Sequence, residues 1–292
     1  MTDAALVGPV SPPDLHVMTF NIRRRFSRVR PGNPDRWVTR KELVRRILAA
    51  EQPTLLGVQE ALTDQVEFVA DALGPHYRWV GRGRNPSGSG EHCAIFYDSR
   101  RLELTGWQQL ALSATPDLPG SRTWGNMTRR VVASAAFTDL ATGARLVAFN
   151  THLDHLSWRS RLESAQLILK LAQDARDAQP GTAIVVIGDF NAGPDSAFYR
   201  RLTADGVLRD AWEAAAEQLT PQWGTFSNYL GRRPGGKRID LILLGQGVEA
   251  VSTGINAVRF DGMPASDHEP VQAVLRYGNP SSGASDRSSL LP

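Results

Sequence analysis

Short apolar runs bounded by turn residues recur along most of the chain. The segments 15–22 (LHVMTFNI), 54–59 (TLLGVQ), 92–98 (HCAIFYD), 131–140 (VVASAAFTDL), 145–151 (RLVAFNT), 183–189 (AIVVIGD), 239–244 (IDLILL) and 269–277 (EPVQAVLRY) are rich in β-branched and aromatic residues. Their length and punctuation predict strands. Two longer segments show the other period. In 35–51, Trp37, Leu43, Val44, Ile47 and Leu48 fall on one helical face, and in 157–175 Leu162, Ala165, Ile168, Leu169 and Ala172 do the same behind a Ser cap. Strands outnumber helices, so the pattern predicts a layered sandwich with helices covering the outer sheet faces.

Composition narrows the class. The chain has 292 residues, with 41% hydrophobic and 22% charged, enough to bury a sizeable core. Residues 1–14 are Pro-rich and read as a flexible N-terminus, and 279–292 are Ser/Gly-rich and read as a disordered tail. No linker or repeat interrupts residues 15–278, which are expected to form one domain. Cys93 is the single cysteine, so neither a disulfide nor a Cys-rich metal knuckle can form within the chain. The N-terminus lacks a basic, then apolar, secretory pattern, and no apolar stretch approaches a membrane span. A cytoplasmic monomer is the expectation.

The strand ends carry the chemistry. The first run ends on Asn21 and the second on Glu60; Glu91 opens the third. LVAFNTHLDH ends on His152 and Asp154, VVIGDFN on Asp189 and Asn191; KRIDLIL begins near Asp240, and ASDHEPV places Asp267 and His268 before the last strand. A lone Asn or Asp there is ordinarily a turn former, and Asp195 is read that way. Turn formation does not call for Glu60 after a buried strand, nor for an Asp-His pair before another. Hard oxygen donors suit Mg²⁺ or Mn²⁺, and no zinc pattern is present. Imidazoles beside such oxygens can stabilise or protonate a phosphate, and the combination is equipment for activating water against phosphorus.

The motifs TFNIR, GVQEA, GEHCAIFYD, FNTHLDH, GDFNAGPDS, RIDLIL and SDHEPV, in this order from Val17 to Tyr277, resemble the endonuclease/exonuclease/phosphatase (DNase I-like) superfamily, in particular its bacterial branch similar to deadenylases. The resemblance implies a four-layered α/β (α+β) sandwich, two stacked, mainly antiparallel sheets flanked by helices, with the site at one edge. It implies Glu60 as principal metal ligand, with Asn21 and Asp267 as further ligands, and Asn21 also supporting phosphate. Asp189 and Asn191 would align or deprotonate the attacking water, and Asn191 would hold phosphate. His152, with Glu91 as acidic partner, and His268, oriented by Asp240, would be catalytic. Asp154 is a further candidate for substrate contact or for simple loop closure.

The implied reaction is Mg²⁺-dependent hydrolysis of a phosphate ester. The substrate must be read from the loops. Arg23, Arg24, Arg25, Arg28, Arg30 and Arg36 follow the first strand, and Arg82, Arg84, Arg122, Arg129, Arg130, Arg232, Arg233, Lys237 and Arg238 lie in other loops. Arginine is the better fork for phosphate, so Arg130 and its neighbours are candidate substrate contacts. This basic rim favours a phosphodiesterase acting on nucleic acid, for instance a single strand, or on a nucleotide-like diester. The alternative is a phosphatase or phosphodiesterase acting on a small-molecule, sugar or lipid phosphate. A binding module without catalysis is disfavoured, because Glu60 and the Asp267-His268 pair are both retained. Stable membrane insertion is not expected.

Overall fold

The computed structural model describes residues 4–278. Its elements run β1 (Asp14–Asn21), α1 (Trp37–Glu51), β2 (Leu55–Ala61), α2 (Thr63–Leu73), β3 (Tyr77–Val80), β4 (His92–Asp98), β5 (Leu102–Ala111), β6 (Val131–Asp139) and β7 (Arg145–His152). They continue with α3 (Trp158–Ala178), β8 (Ala183–Asp189), α4 (Ala197–Thr203), β9 (Arg209–Asp210), α5 (Ala211–Ala214), β10 (Glu217–Gln218), β11 (Asp240–Leu244), β12 (Val248–Ile255) and β13 (Val271–Tyr277). One sheet has the order β10-β12-β13-β1-β2-β4-β3 and the other β5-β6-β7-β8-β11-β9. Pairing is mainly antiparallel. The exceptions are β1–β2, β7–β8 and β10–β12, which are parallel.

Four layers follow from which side chains each strand turns inward. Leu15, Val17, Leu55 and Ile95 of the first sheet meet Ala135, Phe137, Ala148, Val185 and Ile242 of the second in the central core. Alternate residues of the same strands, Met18, Phe20, Leu56 and Phe96, turn outward under Leu43, Ile47 and Leu48 of α1 and Val66 and Val69 of α2. On the far side Phe149, Ile184 and Val186 pack beneath Ala165, Ile168 and Leu169 of α3 and Phe198 of α4. Strands buried on both faces read as continuous apolar runs, which is the pattern the sequence shows. Ser157 caps α3 by accepting the Ser160 N–H. Trp158 at its start is 68% exposed.

Near the site the two sheets are tied by polar contacts as well as packing. The buried Asn150 amide of β7 donates to the Val58 and Ala94 carbonyls and accepts from Gln59, across the sheet interface. Gly57 permits this approach, since a Cβ there would lie 2.9 Å from the Asn150 side chain.

The segment before β1, expected to be loose, is pinned from residue 6 onward. The buried Glu51 carboxylate accepts the Leu6, Val7 and Gly8 N–H groups, and His16 reaches the Gly8 carbonyl. Pro-richness signalled a non-helical segment; it carried no information about the acid that anchors it. Residues 1–3 and the expected tail at 279–292 lie outside the described residues.

Candidate active site

The carboxyl ends of β1, β2, β7 and β8 and the amino ends of β4 and β11 converge on one edge of the sandwich. That convergence puts Asn21, Glu60, His152, Asp189 and Asp240 together. The segment before β13 adds Asp267 and His268. Glu60, His152, Asp189, Asp267 and His268 border a cleft of about 500 Å³, whose walls also carry Arg23, Arg24, Phe26, Arg84, Glu91, Thr128, Arg130, His155, Asn191 and Phe226, with Asn21 and Asp240 behind them.

Local backbone aims several of these groups. The β2–β4 register shifts between Val58 and Ala61, and Glu60 within the shift takes a positive φ of 65°. Arg23 and Asn191 also have positive φ, 56° and 51°. Non-glycine residues held in this region store strain, and such strain concentrates at functional sites.

Asp189 is the hub. One carboxylate oxygen accepts the Asn191 N–H at 2.9 Å. The other accepts the Asn21 amide at 3.0 Å and lies 3.5 Å from His152 Nε2 and 3.7 Å from His268 Nε2. Burial, then the nearby Asp240 carboxylate, push its pKa up to about 6. Burial opposes the charge on His268, but Asp240, bonded to Nδ1 at 2.8 Å, and Asp189 outweigh it and hold the ring cationic, its pKa well above the ordinary value. His152 goes the other way: burial, then the Arg130 and His268 cations, keep it neutral. Two histidines that face the same Asp189 oxygen thus carry opposite protonation states, which suits one for charge stabilisation and the other for neutral hydrogen bonding.

The expected metal ligands divide. Burial works against ionisation of Glu60, yet His268, the Asn21 amide and Arg23 bring its pKa below the ordinary value. Asp267 is raised by burial, with His268 and Arg23 opposing. Arg23 spans both, its Nη1 3.8 Å from Glu60 Oε2 and its Nε 3.5 Å from Asp267 Oδ2, so two acids face one cationic position. That donor set, hard carboxylate oxygens converging on a positive charge, fits Mg²⁺ or Mn²⁺. Asn21 differs from its expected role as a ligand. It presents its amide nitrogen to Glu60 and Asp189, while its oxygen accepts the Arg23 N–H. It bridges the acids rather than offering an oxygen between them. Asp189, Asp240 and His268 also place ligand atoms within 4.8 Å of one another. A protonated imidazole paired to Asp240 offers no lone pair to a metal, so this trio is better suited to proton transfer.

Glu91 departs from its expected pairing, and Asp154 takes the second of its two expected roles, loop closure. Among the described residues Glu91 is not bonded to His152; its carboxylate is taken by Arg84 at 2.6 Å and Arg24 at 2.9 Å, because two guanidinium forks compete better for it than a neutral imidazole does. Asp154 is fully buried and spends one oxygen on the Leu156 and Ser157 N–H groups, closing the turn into α3. It does not border the cleft. Arg130, 4% exposed, does border it, with Nη2 3.2 Å from His155 Nδ1. Asn191 borders the cleft too, though its amide is committed to the Leu153 carbonyl.

Sequence reasoning missed Arg23, Arg84, Phe26 and Phe226 as individual members of the site. The arginine-rich loops flagged the first two only collectively. Phe226 packs against His268 with ring centres 4.9 Å apart and planes tilted by 52°, a contact no local pattern announces.

Residues 18–268 match the Endonuclease/Exonuclease/phosphatase family. The chain belongs to that family. Members of that family are hydrolases acting on phosphate esters, and this chain has their DNase I-like fold. It is 25% identical over 228 residues to Nocturnin from Drosophila melanogaster, covering 69% of this chain but 32% of that protein, so the chain spans about a third of that relative's length. An endonuclease/exonuclease/phosphatase from Bacteroides vulgatus superposes with a TM-score of 0.82 at 29% identity, covering 91% of this chain and 99% of that one. A mannosyl-6-phosphatase from Bacteroides thetaiotaomicron superposes with 0.83 at 26% identity, covering 90% and 100%. Among the described residues no helix is long and apolar enough to cross a membrane.

Proposed function

We propose that the protein is a divalent-metal-dependent phosphomonoesterase that acts on a small phosphorylated polar molecule. The supporting observation is the basic wall: Arg24, Arg84 and Arg130 line a cleft of about 500 Å³ that also holds the Asp189–His268 pair, and Arg24 and Arg84, which share the single Glu91 carboxylate, together carry one positive charge more than it balances. A terminal phosphate carries an extra charge relative to a diester, and a closely ringed pocket is the way to neutralise it. The full-length match to a mannosyl-6-phosphatase agrees in size and class.

Glu60 and Asp267 would hold the ion. When bound, it offsets phosphate charge and increases the electrophilicity of phosphorus. The rest is carried by the chain. Asn21 and the Asn191 N–H fix the Asp189 carboxylate. With a pKa near 6, Asp189 is ionised at neutral pH yet more basic than an ordinary carboxylate, so it takes a proton from the attacking water. As the new P–O bond forms and the ester P–O bond breaks, cationic His268 donates its Nε2 proton to the departing oxygen. Asp189, 3.7 Å away, returns the proton taken from water. Neutral His152 and the Arg130 guanidinium contact the equatorial oxygens.

A second reading, hydrolysis of a nucleic-acid phosphodiester, is favoured by one feature. Phe26 is 42% exposed at the cleft beside Arg23 and Arg24, and the surface continues along Arg28 and Arg30. An aromatic face beside a basic strip suits stacked bases. Hydrolysis of sugar phosphates, a chromogenic diester and labelled RNA and DNA strands, each with Mg²⁺, Mn²⁺ and EDTA, separates the readings. Metal-dependent turnover of monoesters above diesters supports the first; preferential strand cleavage replaces it with the second.

A further inference from the structure

Arg23 differs from the other arginines of the cleft in facing three acids at once; Arg130 makes a single distant carboxylate contact, to Asp154 at 3.9 Å. Arg24 and Arg84 make tight bonds to Glu91, at 2.9 and 2.6 Å. Arg23 makes none of that kind. Its Nη1 is 3.8 Å from Glu60, its Nε 3.5 Å from Asp267 and its Nη2 3.5 Å from Asp35. A committed charge-assisted bond is about 2.7–2.9 Å, so three acids share this guanidinium and none owns it. Its Nε is buried without a hydrogen-bond partner. Its backbone, by contrast, is locked. Arg40 and the Gln65 amide donate to its carbonyl, and its N–H donates to Asn21. Any movement is therefore confined to the side chain, which lies along the exposed face of Phe26, 4.9 Å from the ring centre.

We propose that Arg23 is an exchangeable counter-ion. Its guanidinium and a divalent cation compete for Glu60 and Asp267, and the displaced guanidinium, still tethered by Asp35 and supported by Phe26, takes a phosphate oxygen in the cleft. Binding is thereby ordered, the metal first and the phosphate group second, and the acids stay compensated in both states. The proposal rests on the metal reading above and adds to it a residue that couples the two ligands.

The test is Mn²⁺ binding, followed by the paramagnetic resonance of free Mn²⁺, to the wild type, Arg23→Gln and Arg23→Lys. Inorganic phosphate is then titrated calorimetrically with and without Mn²⁺. Arg23→Gln should bind Mn²⁺ about tenfold more tightly, equivalent to ~1.4 kcal/mol, and Arg23→Lys, which keeps the charge, should stay near the wild type. Mn²⁺ should strengthen phosphate binding at least about tenfold in the wild type, and clearly less in Arg23→Gln. Equal or weaker Mn²⁺ binding in Arg23→Gln, or Lys behaving like Gln, overturns the competition. An undiminished metal-dependent gain in phosphate affinity in Arg23→Gln overturns the release. Absence of Mn²⁺ uptake by the wild type defeats the metal reading itself, and this proposal with it.

Discussion

Replacing Asp240 by Asn tests the electrostatic core of the site. Asp240 bonds His268 Nδ1 at 2.8 Å, and both side chains are more than nine-tenths buried. At an effective dielectric near 20, opposite charges at that separation attract by roughly 6 kcal/mol before desolvation is subtracted. Asn keeps the shape and an acceptor but removes the charge. Two pKa shifts then move in the same direction. Asp240 is the chief group raising His268, so the His268 pKa falls. Asp240 is also the second cause, after burial, of the raised Asp189 pKa, so that falls below about 6 as well. The mechanism requires ionised Asp189 and cationic His268. Activity in the wild type should therefore decline as pH drops through about 6, and in the variant both the acid and the basic limbs should shift to lower pH. At neutral pH kcat should fall about 10²–10⁴-fold, or ~3–5 kcal/mol in the barrier. Stability should suffer less. His268 can shed its proton and the Asp189–Asp240 repulsion is relieved, so about 2 kcal/mol, roughly 4–8 °C in Tm, is the expected limit. The assay is a pH–rate profile of kcat beside a thermal melt. A variant that loses activity while both limbs stay in place would refute the assignment of those limbs to the Asp189–His268 pair.

Further outcomes follow from the geometry. Gly188→Ala should destabilise by at least ~3 kcal/mol in denaturant unfolding, because φ is 150° and a Cβ would lie 2.1 Å from the Thr151 carbonyl oxygen; a loss under ~1 kcal/mol would contradict the β7–β8 geometry that aims Asp189. Arg130→Met should lower kcat/KM for monoesters about 100-fold and affect diesters less. It should also let the His152 pKa rise, since Arg130 is the largest cause after burial of its depression, a change visible by NMR titration of the ring. Glu60→Gln should weaken Mn²⁺ binding at least about tenfold in the same resonance assay, with the fold retained; unchanged affinity would place the ion elsewhere.

The strands that form the site were readable because burial on both faces makes them continuous apolar runs, and because a polar residue closing such a run is conspicuous. Asn21, Glu60, His152, Asp189, Asp240 and His268 were all found in this way. Elements with mixed surfaces were not. β5 exposes Glu103, Trp107 and Gln108 on an edge strand, and β12 mixes Ser252, Thr253 and Gly254 into its interior, so neither shows a clean period. α2, though amphipathic, is short and was overlooked between two strands. Partnerships across the fold were the least legible. Glu91 is adjacent in sequence to nothing that reveals Arg24 and Arg84 as its partners, and Asp154 looks like a site residue until its turn is seen. Arg23 was one arginine among many, and only its position between Glu60, Asp267 and Asp35 distinguishes it.

The central claim, metal-dependent attack of water on phosphorus organised by Asp189, is tested most directly by hydrolysing a small phosphomonoester in ¹⁸O-labelled water with Mg²⁺, with EDTA, and with Asp189→Asn. The account predicts one ¹⁸O in the released phosphate, none in the alcohol, suppression by EDTA, and a rate about 10²–10⁴-fold lower in the variant. Label in the alcohol, or hydrolysis indifferent to both chelator and substitution, would contradict it.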